Sequence, residues 1–396
     1  MIWLFLTACQ PSASELGPVS LGVVQRWSGP AEARDQHHAT IALLPYEGLA
    51  VTWTRGPLES APEAWLQVTS DRGDPVGTAL PLAAGGVAAK TDVEIGPDGR
   101  LWSAYQTPDD GIWVERLDLP GEKNERLHVA PAARAAGNNS VDVAVTATGK
   151  AHLVWFAEGV PLATFEGQSV GAALTLTDGL PPVVGSAFAP DDSLSADISA
   201  TPDGGSVVAW IGQSDPDQMP DTLFVSQFLP SGALDWEIAL DVDDAEPPRR
   251  ATVAVDSGGR ISVIWRRREH IDWTTSESFL QSLDPSGRPL GPRVQVFDGV
   301  ADDPVSALLG DVAVFAVWGS FADGEWSVWG AIFSFPEGAP LTPAFRIGGG
   351  DPHGNLRPHA AAIEREPGLW TLAVSWEEAL PGEARVVFGR TGTYRE

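Results

Sequence analysis

An all-β fold built from repeated hairpins is what this sequence predicts, and three observations carry the expectation. One short pattern recurs seven times, each copy closing on an aromatic residue. Each copy turns between two alternating strands, in the five regular copies on a glycine. The composition, 42 Gly and 33 Pro in 396 residues, is rich in the residues that turns require. Self-similarity at a fixed period is the mark of repeat architectures, and four strands per repeat is the blade of a β-propeller.

Five copies share fourteen residues without gaps: TIALLPYEGLAVTW ending at Trp53, DVEIGPDGRLWSAY at Tyr105, DVAVTATGKAHLVW at Trp155, DISATPDGGSVVAW at Trp210 and TVAVDSGGRISVIW at Trp265. Looser copies are SALLGDVAVFAVW, ending at Trp318, and AAAIEREPGLWTLAVSW, ending at Trp376. Successive closing aromatics are 52, 50, 55, 55, 53 and 58 residues apart. Period-2 alternation around Gly48, Gly99, Gly149, Gly204 and Gly259 is the hairpin signature. A second hairpin follows in most copies, as in FVSQFLPSGALDWEIAL around Gly232, FLQSLDPSGRPLGPRVQVF around Gly287 and WGAIFSFPEGAPLTPAFRI around Gly338. Residues 19–396, at about 54 per repeat, accommodate a seven-bladed β-propeller of four-stranded antiparallel blades.

The last copy ends after its third strand, near Ala384 to Thr391. Pro18 to Trp27 (PVSLGVVQRW) reads as a fourth strand lacking its own blade. It is expected to pair with the last blade and close the ring, which shields sheet edges that otherwise invite aggregation. The closing aromatics, recurring at one register, are expected to pack between blades rather than to serve as sugar platforms.

The first nine residues, MIWLFLTAC, hold a short apolar run before Leu6-Thr7-Ala8-Cys9. This resembles the lipobox of bacterial lipoproteins. The resemblance implies a signal peptide over residues 1–8, a lipid on Cys9, and a tether over 9–18. Gln10 after the Cys implies outer-membrane sorting, hence a lipid-anchored protein of the bacterial cell envelope. Cys9 is the only cysteine, which excludes an intrachain disulfide and a Cys-based zinc site. The formal net charge of −28 argues against nucleic acid, so no nucleic-acid partner is expected.

The repeats resemble those of bacterial extracellular propeller proteins whose outer hairpin carries an Asp-x-x-Gly-x-x-Leu-Gly turn, here Asp284 to Gly291. They depart from WD40, kelch and Asp-box patterns. Gly-x-Ser-x-Gly, phosphate-loop and His-Glu-x-x-His signatures are missing from the sequence.

Candidate chemistry lies in loops expected to share one face. His37, His38, His353 and His359, with Asp351, come from neighbouring first and last blades and suit a divalent metal, against a reading as solvated loop residues. No other cofactor is expected. Arg266, Arg267 and Arg268, with Arg249 and Arg250 ahead of the same repeat's first strand, form a basic patch suited to a carboxylate or sulfate, or to pairing with nearby acidic loops. Trp273 and Trp326 fall in or beside loops and are the candidate sugar-stacking residues.

The leading expectation is a monomeric, non-catalytic binding or scaffolding lipoprotein. It meets the membrane through its lipid alone and uses one propeller face for envelope proteins. The alternatives are a carbohydrate-binding propeller and a polysaccharide-acting glycosidase or lyase.

Overall fold

In the computed structural model the repeats fold as the hairpins predict. The structure describes residues 19–27, 36–56, 63–82, 89–107, 111–117, 124–130, 141–155, 162–165, 175–177, 196–212, 222–242, 248–267, 276–297, 299–322, 324–351, 356–379 and 385–396. Cys9 and the proposed signal peptide and tether lie outside them.

The chain is an all-β propeller of antiparallel four-stranded sheets. Sheet I runs in order through Gln36–Leu43, Leu49–Arg55, Glu63–Thr69 and Pro75–Pro81. Sheets II to VI repeat this order and begin with Ala89–Ile95, Val141–Val145, Ala196–Ala200, Pro248–Val255 and Asp302–Leu309. These are six four-stranded sheets. Sheet VII is composite. It joins His359–Glu366, Leu369–Ala379 and Arg385–Arg395 to two short N-terminal strands, Val19–Leu21 and Gln25–Arg26. Each first strand packs beside the first strand of the next sheet, and that of sheet VII packs beside that of sheet I. Among the described residues, no helix is long and apolar enough to cross a membrane.

Two expectations need correction in detail. The final strand does not stop near Thr391 but continues to Arg395. The N-terminal segment is not one strand: Leu21 faces Gly392 and Gln25 faces Gly389, so four steps on one side span three on the other. The extra residue forms a bulge that pushes Val23 and Val24 into solvent. On either side of it, Gly22 N–H donates to Thr391 O (2.8 Å) and Trp27 N–H to Val387 O (3.1 Å).

The hairpin glycines sit where only glycine is comfortable. Gly99 and Gly149, for example, have φ of 76° and 80°, the left-handed region that a Cβ disfavours. The closing aromatics are core. Trp53, Tyr105, Trp155, Trp210, Trp265, Trp318 and Trp376 are each at most 3% exposed, burying a large apolar area between sheets. Trp376 lies so close to Gly348 of the preceding sheet that a methyl group there would overlap its ring.

Candidate functional site

Seven first strands arranged in this way leave a space at the hub. A cavity of about 340 Å³ is lined by residues from all seven, at the low end of the roughly 300–1,000 Å³ typical of small-molecule sites. The lining runs from the start of the first strands, on the face where the chain passes from one sheet to the next, to Glu94, Ser199 and Val253 further along them.

The β-ladder register decides which side chains reach the hub. Thr40, Asp92, Asp142, Asp197, Thr252, Val305 and His359 pair with Thr52, Ala104, Val154, Ala209, Ile264, Val317 and Ser375. In all seven sheets these partners immediately precede the closing aromatic. Sheets II, III and IV therefore each contribute an aspartate at one level, with Glu94 two residues further along its strand.

Several of these groups also fasten one sheet to the next. The innermost strand has an unpaired edge, whose buried N–H groups need acceptors. Asp92 Oδ2 accepts from Val143 N–H at 2.8 Å, and Asp197 Oδ2 from Val253 N–H at 2.6 Å. His359 Nδ1 accepts from Ile41 N–H at 3.3 Å, which places its own proton on Nε2. Ser199 Oγ does the same for Val255 N–H at 3.2 Å. Replacing Asp197 by alanine is expected to cost about 1–3 kcal/mol by orphaning Val253 N–H. Urea unfolding should show this loss, with Asp197→Asn retaining most of the stability.

Enclosure sets the protonation of the acids. Burial pushes Asp92 up to about 6, against the opposing N–H groups of Val143 and Val93. Burial, reinforced by the charge of Asp92, pushes Asp197 up to about 7. Glu94 rises to about 8 through burial and then the charge of Asp92. Its side chain lines the cavity and also keeps open surface, where solvent screens part of the effect of burial. Near neutral pH the cavity thus holds carboxylic acids beside carboxylates. Burial lowers His359 to about 4, which keeps it neutral.

The opposite side of the hub carries Arg250, Asp303 and Arg357. Arg250 Nε lies 3.1 Å from Asp303 Oδ1. Arg266 is buried beneath, donating to Asp303 at 2.8 Å and pairing with Asp302.

The sequence candidates are therefore dispersed. Arg266 holds Asp302 and Asp303. Arg267 Nε donates to Asp241 at 2.7 Å, the carboxylate that also accepts from Trp265 Nε1 at 2.7 Å. Both arginines thus adopt the pairing weighed against anion binding. Arg268, Trp273 and His353 lie outside the described residues. His37, His38 and Asp351 are placed as strand backbone only. Trp326 is half-buried in sheet VI, its ring 5.4 Å from Phe321, and does not line the hub. Among the described residues no group of three His, Cys, Asp or Glu side chains is arranged to hold a metal ion. Sequence reasoning missed Asp92, Asp142 and Asp197. Their signal was present: Asp opens three of the five gap-free copies.

No family model matches the sequence, and no curated protein does. Solved structures share the fold. One is a protein of unknown function from Dyadobacter fermentans DSM 18053, 12% identical, covering 96% of this chain and 100% of that one with a TM-score of 0.57. A Penicillium chrysogenum α-L-arabinanase complexed with arabinobiose is 11% identical over 94% of this chain and 98% of its own, with a TM-score of 0.52. An ulvan lyase of polysaccharide lyase family PL25, bound to -[GlcA(1-4)Rha3S]-, is 10% identical over 90% and 93%, with a TM-score of 0.53. At these identities the likeness concerns the fold alone.

Proposed function

We propose that this chain is a glycan-cleaving propeller, a glycoside hydrolase whose site is the hub cavity. The observation that carries the reading is the convergence of Asp92, Glu94, Asp142 and Asp197 on one concave polar space, with protonated and ionised carboxyls side by side. Glycoside cleavage needs such a division: one carboxylic acid protonates the departing glycosidic oxygen while a carboxylate acts on the other side of the sugar. Glu94 is assigned the acid role, because it retains its proton at neutral pH and has surface in the lumen. Asp142, from the adjacent strand, is assigned the carboxylate role. Burial, with the charges of Asp92 and Asp197 added, favours the protonated form of Glu94. The likeness in fold to an arabinanase and to an ulvan lyase is compatible with this reading.

The test is release of reducing ends from a panel of polysaccharides by the full-length chain. Glu94→Gln and Asp142→Asn are each expected to lower kcat by about 100-fold or more without lowering the melting temperature. Turnover that survives both substitutions would sink the assignment. A binding-only propeller is the second reading, favoured by the use of Asp92 and Asp197 as fasteners. It predicts glycan binding without turnover.

We also read sheet VII as the seventh blade, which closes the ring through the N-terminal strands. Cys9 is proposed to carry a lipid anchoring the protein in the cell envelope. Cys9→Ser should then release it from membranes, and continued membrane association would contradict the anchor.

A further inference from the structure

Glycine aside, three residues among those described have a backbone in the left-handed region: Arg250 (φ 40°), Asp303 (φ 45°) and Arg357 (φ 41°). Side-chain-bearing residues rarely adopt it, and clusters of such residues concentrate where a site demands them. These three fall at one place in the fold. Each stands at the start of a first strand, in sheets V, VI and VII in turn, and each lines the hub cavity. In sheets V and VI the ladder register breaks across the residue, between Arg249 and Ala251 and between Asp302 and Val305. A bulge re-aims the side chain it carries; here the result is charge at the cavity mouth.

The charge is divided across the hub. Asp92, Glu94 and Asp197 come from sheets II and IV, whereas Arg250 and Arg357 come from sheets V and VII. Arg250 is steadied through Nε by Asp303, which Arg266 holds from below. In a chain of net charge −28, two guanidinium groups stand on one side of a small cavity whose other charged lining residues, Asp92, Glu94, Asp142, Asp197 and Asp303, are all acidic. Guanidinium presents a planar fork of donors that matches a carboxylate.

We infer that the hub takes a sugar bearing a carboxylate, a uronate unit, with Arg250 and Arg357 receiving the carboxylate and the acids of sheets II to IV facing the glycosidic bond. The inference rests on the glycan reading above and narrows its substrate class.

Calorimetry on the full-length chain with D-glucuronate, D-glucose and glucose 6-sulfate tests it. Glucuronate is expected to bind at least tenfold more tightly than glucose and more tightly than the sulfate ester. Arg250→Gln and Arg357→Gln should each collapse that preference, and Arg357→Lys should restore part of it. If a variant fails to fold, the preference of the unmodified chain still decides. Equal binding of glucuronate and glucose overturns the inference and leaves the glycan reading standing, as does preference for the sulfate ester. Binding of none of the three, together with no turnover of any polysaccharide, overturns both.

Discussion

Trp27→Ala is expected to destabilise the protein by about 3–5 kcal/mol, the range for truncating a large buried aromatic. Trp27 is 1% exposed. It belongs to a buried cluster with Ile41, Leu49, Val51 and Trp53 of sheet I and Ala373 and Val387 of sheet VII, and its ring lies against Gly73 of sheet I. It therefore joins the two sheets that meet where the chain begins and ends. Its fit also depends on Gly389, where an added methyl would overlap the indole ring. Gly389→Ala alone should cost about 1–3 kcal/mol by overpacking. The double variant should cost less than the sum of the two, because the alanine methyl would occupy part of the space the indole leaves. Urea unfolding of the four proteins measures the cycle. A loss below about 1 kcal/mol for Trp27→Ala would mean that the N-terminal strands do not hold the first and last sheets together.

The features legible in the sequence were those with a local physical signature. The Gly99 and Gly149 turns could be read because a positive φ selects glycine, and the register of the closing aromatics because every sheet buries its second strand alike. The N-terminal strand could be read as one without a blade, since the last repeat lacked its fourth. The bulge at Val23 and Val24 could not, because it arises from matching two segments more than 360 residues apart. The hub was harder still. Alternation shows which side chains of a strand share a side; it does not show that seven such sides converge. Asp92, Asp142 and Asp197 sat in one column of the repeat, yet acids attract attention in loops, where runs such as Asp302-Asp303 stand out. Arg250 was legible only as part of a basic patch, and Arg357 gave no signal, because their place at the hub depends on a backbone conformation that nothing in their local sequence announces.

Between pH 6.5 and 8 the protein should lose stability, by about 1–2 kcal/mol. The sign follows from the hub acids. Asp92, Asp197 and Glu94 have folded-state values raised to about 6, 7 and 8. Each stabilises the fold fully below the ordinary carboxyl range near 4, and that contribution is lost as pH rises through its folded value. The buried histidines act in the opposite sense. His152, fully buried with Nδ1 at 3.0 Å from Ser206 Oγ, is lowered by burial to about 4, as is His359. Their contribution is present above about 6.5 and lost as pH falls toward 4; for His152 it amounts to at most about 3 kcal/mol. From pH 4 to 6.5 the two trends oppose each other. Above 6.5 the histidines no longer change and surface carboxylates are already ionised, so the decline belongs to Asp197 and Glu94. The magnitude is kept small because Glu94 faces the lumen, where solvent screens part of the effect. Melting temperature followed across this window should fall in the unmodified chain and stay level in an Asp197→Asn/Glu94→Gln variant. A flat profile in the unmodified chain would show that the hub acids are ionised throughout, and Glu94 would then have no proton to give a glycosidic oxygen. Under the glycan-cleaving reading, activity and stability should therefore decline along the same alkaline limb, because both depend on the proton that enclosure keeps on Glu94.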